Sequence, residues 1–145
     1  MKRTSIAIAV AALLALIVAG LAAADRVRGT RGPDQLSGTP AADVIRGFDG
    51  NDSISAADGN DRVFGGPGND TIAGGDGNDR VWAGRGMDAV NGGPGDDNIH
   101  VLANDDQVDT VDCGPGSDVV WVNAAESDSY TDCETVKTVT VTTAP

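Results

Sequence analysis

The chain has 145 residues, of which 20 are glycine, with aromatic residues at only 3% and a formal net charge of −12. So few large side chains exclude a conventional globular core. So much negative charge argues against nucleic acid or an anionic membrane as a partner, and the length suits one small domain.

The first element is a segment for export. Lys2 and Arg3 precede an apolar run from Ile6 to Leu21, interrupted only by Gly20. Ala22, Ala23 and Ala24 then supply the small residues of a cleavage site, so residues 1–24 are read as a signal peptide removed after Ala24. The run also approaches the lower limit of a membrane span, which leaves an uncleaved signal-anchor as the alternative. The expected location is secreted, extracellular or cell-envelope associated, with no membrane span after processing.

A nine-residue period follows. Nine blocks fit without a gap from Gly29 to Asp109. The sixth position is always Asp: Asp34, Asp43, Asp52, Asp61, Asp70, Asp79, Asp88, Asp97 and Asp106. The eighth is always aliphatic: Leu36, Ile45, Ile54, Val63, Ile72, Val81, Val90, Ile99 and Val108. The fourth is Gly in seven of nine, failing at Ala41 and Asn104. One block upstream, Asp25 and Val27 keep the phase, so the repeat region is taken as 25–109. Glycine at positions one, two and four permits positive φ and close backbone approach. Position eight, flanked by outward neighbours, reads as the inward residue of a three-residue strand. Asp carboxylates and glycine-turn carbonyls together form the hard oxygen set that calcium prefers.

The best copies, 65–73 and 74–82, resemble the RTX (hemolysin-type) calcium-binding repeat, G-G-x-G-x-D-x-U-x. The resemblance implies an all-β fold: a right-handed parallel β-roll, or β-solenoid, with two blocks per coil. It also implies Ca2+ between turns stacked on the same edge. The implied ligands are Asp34, Asp43, Asp52, Asp61, Asp70, Asp79, Asp88 and Asp97, with Gly50, Gly59, Gly68, Gly77, Gly86 and Gly95 in their turns. Alternate blocks stack, so Asp34, Asp52, Asp70, Asp88 and Asp106 form one column and Asp43, Asp61, Asp79 and Asp97 the other. Pairing neighbours allows at most seven inter-turn sites. The central pairs have the best turns, whereas Asp43 and Asp106 follow poor ones. Carboxylates stacked about 4.8 Å apart repel, so calcium should be needed for folding.

The same register sorts the outward side chains. One sheet should carry Arg26, Arg28, Arg46, Arg62, Phe64, Arg80, Trp82 and His100. The other should carry Ser37, Ser53, Ser55, Thr71, Ala73, Ala89 and Asn91. Arg46, Arg62, Phe64, Arg80, Trp82 and His100 are therefore a candidate contact face for a cell-envelope glycan or a partner protein. The plainer reading is a cross-strand ladder that supports the sheet, or a seat for the C-terminal segment.

After Asp109 the register is expected to break, with Thr110, Val111 and Asp112 inserted. Residues 113–121 then resume the repeat with Cys113 at position one. Cys113 and Cys133 are the two cysteines, read as one disulfide in an exported chain, with free thiols or a metal pair as alternatives. Residues 110–145 are expected to cap the stack, with a strand from Val136 to Val141. This stretch resembles the closing segment of small exported actinobacterial RTX-like proteins.

An enzyme is not expected. There is one His, and neither HExxH nor GxSxG occurs. Two functions remain open: a calcium-dependent extracellular structural or binding module, or a secreted toxin-like or enzyme-accessory factor working with a separate catalytic chain.

Overall fold

A computed structural model describes residues 24–141. The expected signal peptide lies outside the described residues except for Ala24. Each nine-residue block contributes one short strand: β1 (Arg26–Arg28), β2 (Gln35–Ser37), β3 (Val44–Arg46), β4 (Ser53–Ser55), β5 (Arg62–Pro67), β6 (Thr71–Ala73), β7 (Arg80–Arg85), β8 (Ala89–Asn91) and β9 (Asn98–Val101). Four more follow: β10 (Thr110–Asp112), β11 (Val119–Asn123), β12 (Ser129–Thr131) and β13 (Thr135–Val139).

Odd-numbered strands form a seven-stranded parallel sheet, and even-numbered strands form a six-stranded one. The chain therefore passes from one sheet to the other at every turn, completing about six coils of a parallel β-solenoid. Partners in a sheet lie two blocks apart. Val27 sits beside Ile45, Ile45 beside Val63, and Val63 beside Val81. Leu36, Ile54, Ile72 and Val90 align in the same way opposite them.

The core is one side chain deep from each sheet. Ile45, Val63, Val81, Ile99 and Val120 face Ile54, Ile72, Val90 and Val111, and all are buried. Ala56, Ala83, Val101 and Cys113, each at position one, extend the filling toward the turns. A strand of three residues points its middle side chain inward and its flanks outward, which is why one aliphatic per block suffices.

Main-chain hydrogen bonds continue around the turns. The Gly68 N–H donates to the Arg85 carbonyl and the Gly77 N–H to the Pro94 carbonyl, both at 2.8 Å. This close stacking dictates glycine at position four. A Cβ on Gly77 would lie 1.8 Å from the Gly59 carbonyl oxygen, and Gly77 also has φ +129°.

The ninth block departs from the expected register. Asp109, not Asp106, takes the sixth position, and Val111, not Val108, enters the core. The Asp88 N–H donates to Asp109 Oδ1 across 21 residues rather than 18. Val111 is 1% exposed, Val108 is 44% exposed, and Asp106 sits in the turn at φ +59°. The three extra residues are thus accommodated before the strand. A longer turn costs little closure entropy, whereas extra residues inside a strand would send its side chains to the wrong faces. Asp-Gln-Val and Asp-Thr-Val are equivalent by sequence pattern, so only the three-dimensional stack chooses between them. The sheets run on across 109 and 110 without interruption.

The C-terminal coil is tied down. Cys113 and Cys133 form a disulfide with Cα atoms 5.2 Å apart. The last strand is Thr135–Val139, slightly earlier than the expected Val136 to Val141.

Candidate metal sites in the acidic turns

The sixth-position carboxylates are joined by a repeated hydrogen bond. Each Asp donates its own main-chain N–H to Oδ1 of its counterpart on the next coil. In the column beside the six-stranded sheet this links Asp34 to Asp52, Asp52 to Asp70 and Asp70 to Asp88, at 2.8–2.9 Å. In the other column it links Asp43 to Asp61, Asp61 to Asp79 and Asp79 to Asp97, at 2.6–2.8 Å. The columns extend through Asp109 to Asp128, and through Asp118 to Glu134. Asp109, Asp118, Asp128 and Glu134 therefore join ladders that the unbroken nine-residue count leaves out.

The second carboxylate oxygen behaves differently in two sets of turns. In Asp52, Asp61, Asp70, Asp79, Asp88, Asp97, Asp118 and Asp128, Oδ2 is buried and has no hydrogen-bond partner among the described residues. In Asp34 and Asp43, Oδ2 accepts from the N–H and the hydroxyl of Thr30 and Thr39 respectively.

The backbone at position two explains the contrast. Seven of these eight turns have positive φ there, at Phe48, Ala57, Gly66, Gly75, Gly84, Gly93 and Gly114; the turn before Asp128, in the last coil, does not. That conformation turns the N–H away from the carboxylate. The Gly75 N–H donates instead to the Gly92 carbonyl of the next coil at 3.0 Å. Thr30 and Thr39 keep negative φ, and their N–H groups reach their own Asp.

Burial makes eight of the column carboxylates reluctant to ionise. Asp79 and Asp88 are pushed up to about 7, and Asp70, Asp97 and Asp109 to about 6. Desolvation is the main cause, the N–H from the preceding coil opposes it, and neighbouring carboxylates add to it. Asp61, Asp118 and Asp128 are raised for the same reasons.

The expected turn glycines stack their carbonyl oxygens in columns, while the position-one glycines Gly47, Gly65, Gly74 and Gly92 are the ones that lie against the Oδ2 atoms. Gly68 stacks on the Gly50 carbonyl and Gly86 on that of Gly68. Gly77 stacks on Gly59, and Gly95 on Gly77. Among the described residues, no three His, Cys, Asp or Glu side chains converge as a cage. A bound cation would therefore need main-chain oxygens beside the carboxylates. A buried anionic oxygen without a donor, carbonyls stacked in columns and a hard oxygen-only ligand set fit calcium.

The candidate contact face forms a continuous stack on the seven-stranded sheet. Phe64 and Trp82 lie 4.7 Å apart, Trp82 and His100 5.3 Å, and His100 and Trp121 5.5 Å, all within 9° of parallel. The Arg46 guanidinium covers the free face of Phe64 at 5.2 Å, and the Lys137 ammonium covers Trp121 at 4.4 Å. Burial holds His100 below the usual imidazole range. Trp121 belongs to this stack because the 21-residue spacing from His100 restores the phase, and Lys137 lies beside it on β13.

A parallel β-solenoid with acidic turns stacked in two columns and a glycine-dictated turn backbone defines a calcium-binding β-roll. The chain belongs to the RTX calcium-binding nonapeptide repeat family. The family model, built of four repeat copies, matches residues 19–54, 28–63, 55–90, 64–99 and 82–120. Repeats of this family bind calcium. No curated protein and no solved structure matches the chain. Among the described residues, no helix is long and apolar enough to cross a membrane.

Proposed function

We propose that this is an exported, non-enzymatic protein whose β-roll assembles on calcium and serves as an extracellular or envelope module. The observation that carries the proposal is the set of eight buried Oδ2 atoms without a donor. An ionised oxygen in that position costs several kcal/mol unless a cation or donor meets it. Calcium accepts six to eight oxygens at about 2.3–2.6 Å, which carboxylates and turn carbonyls of stacked coils can supply together.

The proposed ligand turns are those of Asp52, Asp61, Asp70, Asp79, Asp88, Asp97 and Asp118, with Gly50, Gly59, Gly68, Gly77, Gly86 and Gly95 contributing carbonyls. Asp34 and Asp43, expected as ligands from the repeat, are assigned instead to a metal-independent cap. Their Oδ2 atoms already hold Thr30 and Thr39. Folding and binding would be a single equilibrium, with dissociation constants near 10⁻⁴–10⁻³ M, as is common for extracellular modules.

The test is a calcium titration of the full chain followed by far-UV circular dichroism, with stoichiometry from native mass spectrometry. The expected result is a cooperative gain of β-structure with several bound ions. A spectrum unchanged by calcium would sink the proposal.

A further inference from the structure

Ten Lys and Arg residues occur in the chain, and eight of them lie among the described residues. Six of those eight stand on the outer face of the seven-stranded sheet: Arg26, Arg28, Arg46, Arg62, Arg80 and Lys137. The outer face of the six-stranded sheet carries none.

Four of these arginines surround one small residue. Val44 on β3 lies between Arg26 on β1 and Arg62 on β5 in the strand register. Arg46 is two residues further along β3, on the same face, and Arg28 is its neighbour on β1. The four arginines, with Val27, Val44 and Phe64, line a depression of about 310 Å³.

The arrangement works against sheet stability. Arg28 lies directly beside Arg46, and Arg62 beside Arg80. Like charges paired across strands repel. Two of the four are nevertheless held in place. Arg46 lies over the Phe64 ring, and the Arg28 guanidinium lies 5.9 Å from the centre of the Phe48 ring. Phe48 has φ +77°, a left-handed conformation that bulky residues rarely adopt. A guanidinium resting on a ring keeps its N–H edge free and loses less freedom when it binds an anion.

We propose that this depression binds the acidic groups of a linear anionic polysaccharide, which runs along the solenoid axis over β1, β3, β5 and β7. Guanidinium forks match carboxylate and sulfate oxygens two at a time. A neutral glycan that stacks on aromatic faces does not fit. Every face in the Phe64–Trp82–His100–Trp121 stack is covered by a neighbour or by a cation.

The width of the strip excludes larger partners. Three residues at about 3.3 Å each make it roughly 10 Å wide, and four strands make it roughly 14 Å long. A duplex, whose major groove alone is about 12 Å wide, would press its phosphates onto the acidic turns at either side. A folded acidic protein needs about 800 Å² on each partner, far more than the strip provides. The site is assembled only when the roll is folded, so its calcium dependence rests on the function proposed above.

The experiment uses the full chain in millimolar calcium and measures binding to dextran sulfate, to neutral dextran and to duplex DNA. Dextran sulfate is expected to bind and neutral dextran is not. The double variant Arg46→Gln/Arg62→Gln should weaken binding by at least about tenfold. The control Arg31→Gln/Arg85→Gln, which removes the same charge outside the depression, should leave it within about twofold. Equal losses in both variants, no binding of dextran sulfate to the folded chain, or equally tight binding of DNA would overturn the proposal. Circular dichroism on the same samples separates the two readings. Folding without binding overturns the arginine site alone. Dextran sulfate binding by a roll that is already folded without calcium overturns the calcium reading and leaves the site standing, whereas binding by an unfolded chain overturns the site.

Discussion

The first two acidic turns and seven of the eight with an unpartnered oxygen obey the same repeat, yet they differ at the backbone of position two. Thr30 and Thr39 hold their Asp carboxylates with an N–H and a hydroxyl. In the seven, positive φ removes the N–H and leaves a bare oxygen. One set closes its charge within the chain, and the other leaves it for something outside. A conserved-looking Asp is therefore not a sufficient description of a ligand. In these nine turns the dihedral four residues before it separates the carboxylates met by a donor from those left bare.

The largest effect should come from removing one bare oxygen. Asp79→Asn keeps an acceptor for the Asp61 N–H but removes the charge. In calcium it should destabilise the roll by about 3–5 kcal/mol, because a buried charge loses its counterpart. In chelator the same change should stabilise whatever structure persists, since it deletes an uncompensated carboxylate. Asp34→Asn should show neither change of sign nor loss of bound calcium. Denaturant melts of both variants with and without calcium check this, and equal behaviour would erase the distinction between the two sets.

At the opposite end, the disulfide secures the last coil as the threonines secure the first. Its removal by Cys113→Ser/Cys133→Ser should cost about 3 kcal/mol for a loop of 20 residues. The loss should show in calcium-loaded thermal melts, with calcium stoichiometry preserved at saturation.

Acidity offers a weaker test. The folded pKa values of Asp79 and Asp88 near 7, and of Asp70, Asp97 and Asp109 near 6, lie above the unfolded value of 3.8. The metal-free fold thus holds more protons than the unfolded chain between about pH 4 and 7. Its stability should be greatest below that window and fall as pH rises through 6 to 7. Calcium must displace those protons, so the titration midpoint should move to higher calcium at pH 5.5 than at pH 7.5, with measurable proton release. A midpoint independent of pH would contradict it.

The smallest effect is expected at the cap itself. Thr39→Val removes the hydroxyl that donates to Asp43 Oδ2 at 2.9 Å but keeps the N–H. The expected cost is about 1 kcal/mol, readable as a shift in the calcium-loaded melt.

Much of this was legible before any coordinates. A strict nine-residue phase assigns strand centres, core residues and the Asp columns, because each role recurs at one position. The Arg and aromatic face follows from the same arithmetic. The final coils were harder. Asp106-Gln107-Val108 satisfies the repeat as well as Asp109-Thr110-Val111, and only stacking against Asp88 and Val90 decides. The roles of Thr30 and Thr39 were also hidden, since position two tolerates Phe48 and Ala57 as well as Gly at positive φ. Residue type there does not report the dihedral.

The 18-residue pairing within each sheet has a consequence for how such a chain can lengthen. Duplicating one block would add an acidic turn and a core aliphatic, so the roll itself would tolerate the event. It would also move every later residue to the opposite sheet, splitting the aromatic column and scattering the arginines over two surfaces. Duplicating two blocks would do neither. Gene-level growth of this chain is thus quantised in pairs wherever the outer face is under selection, and free to proceed singly wherever only the turns are.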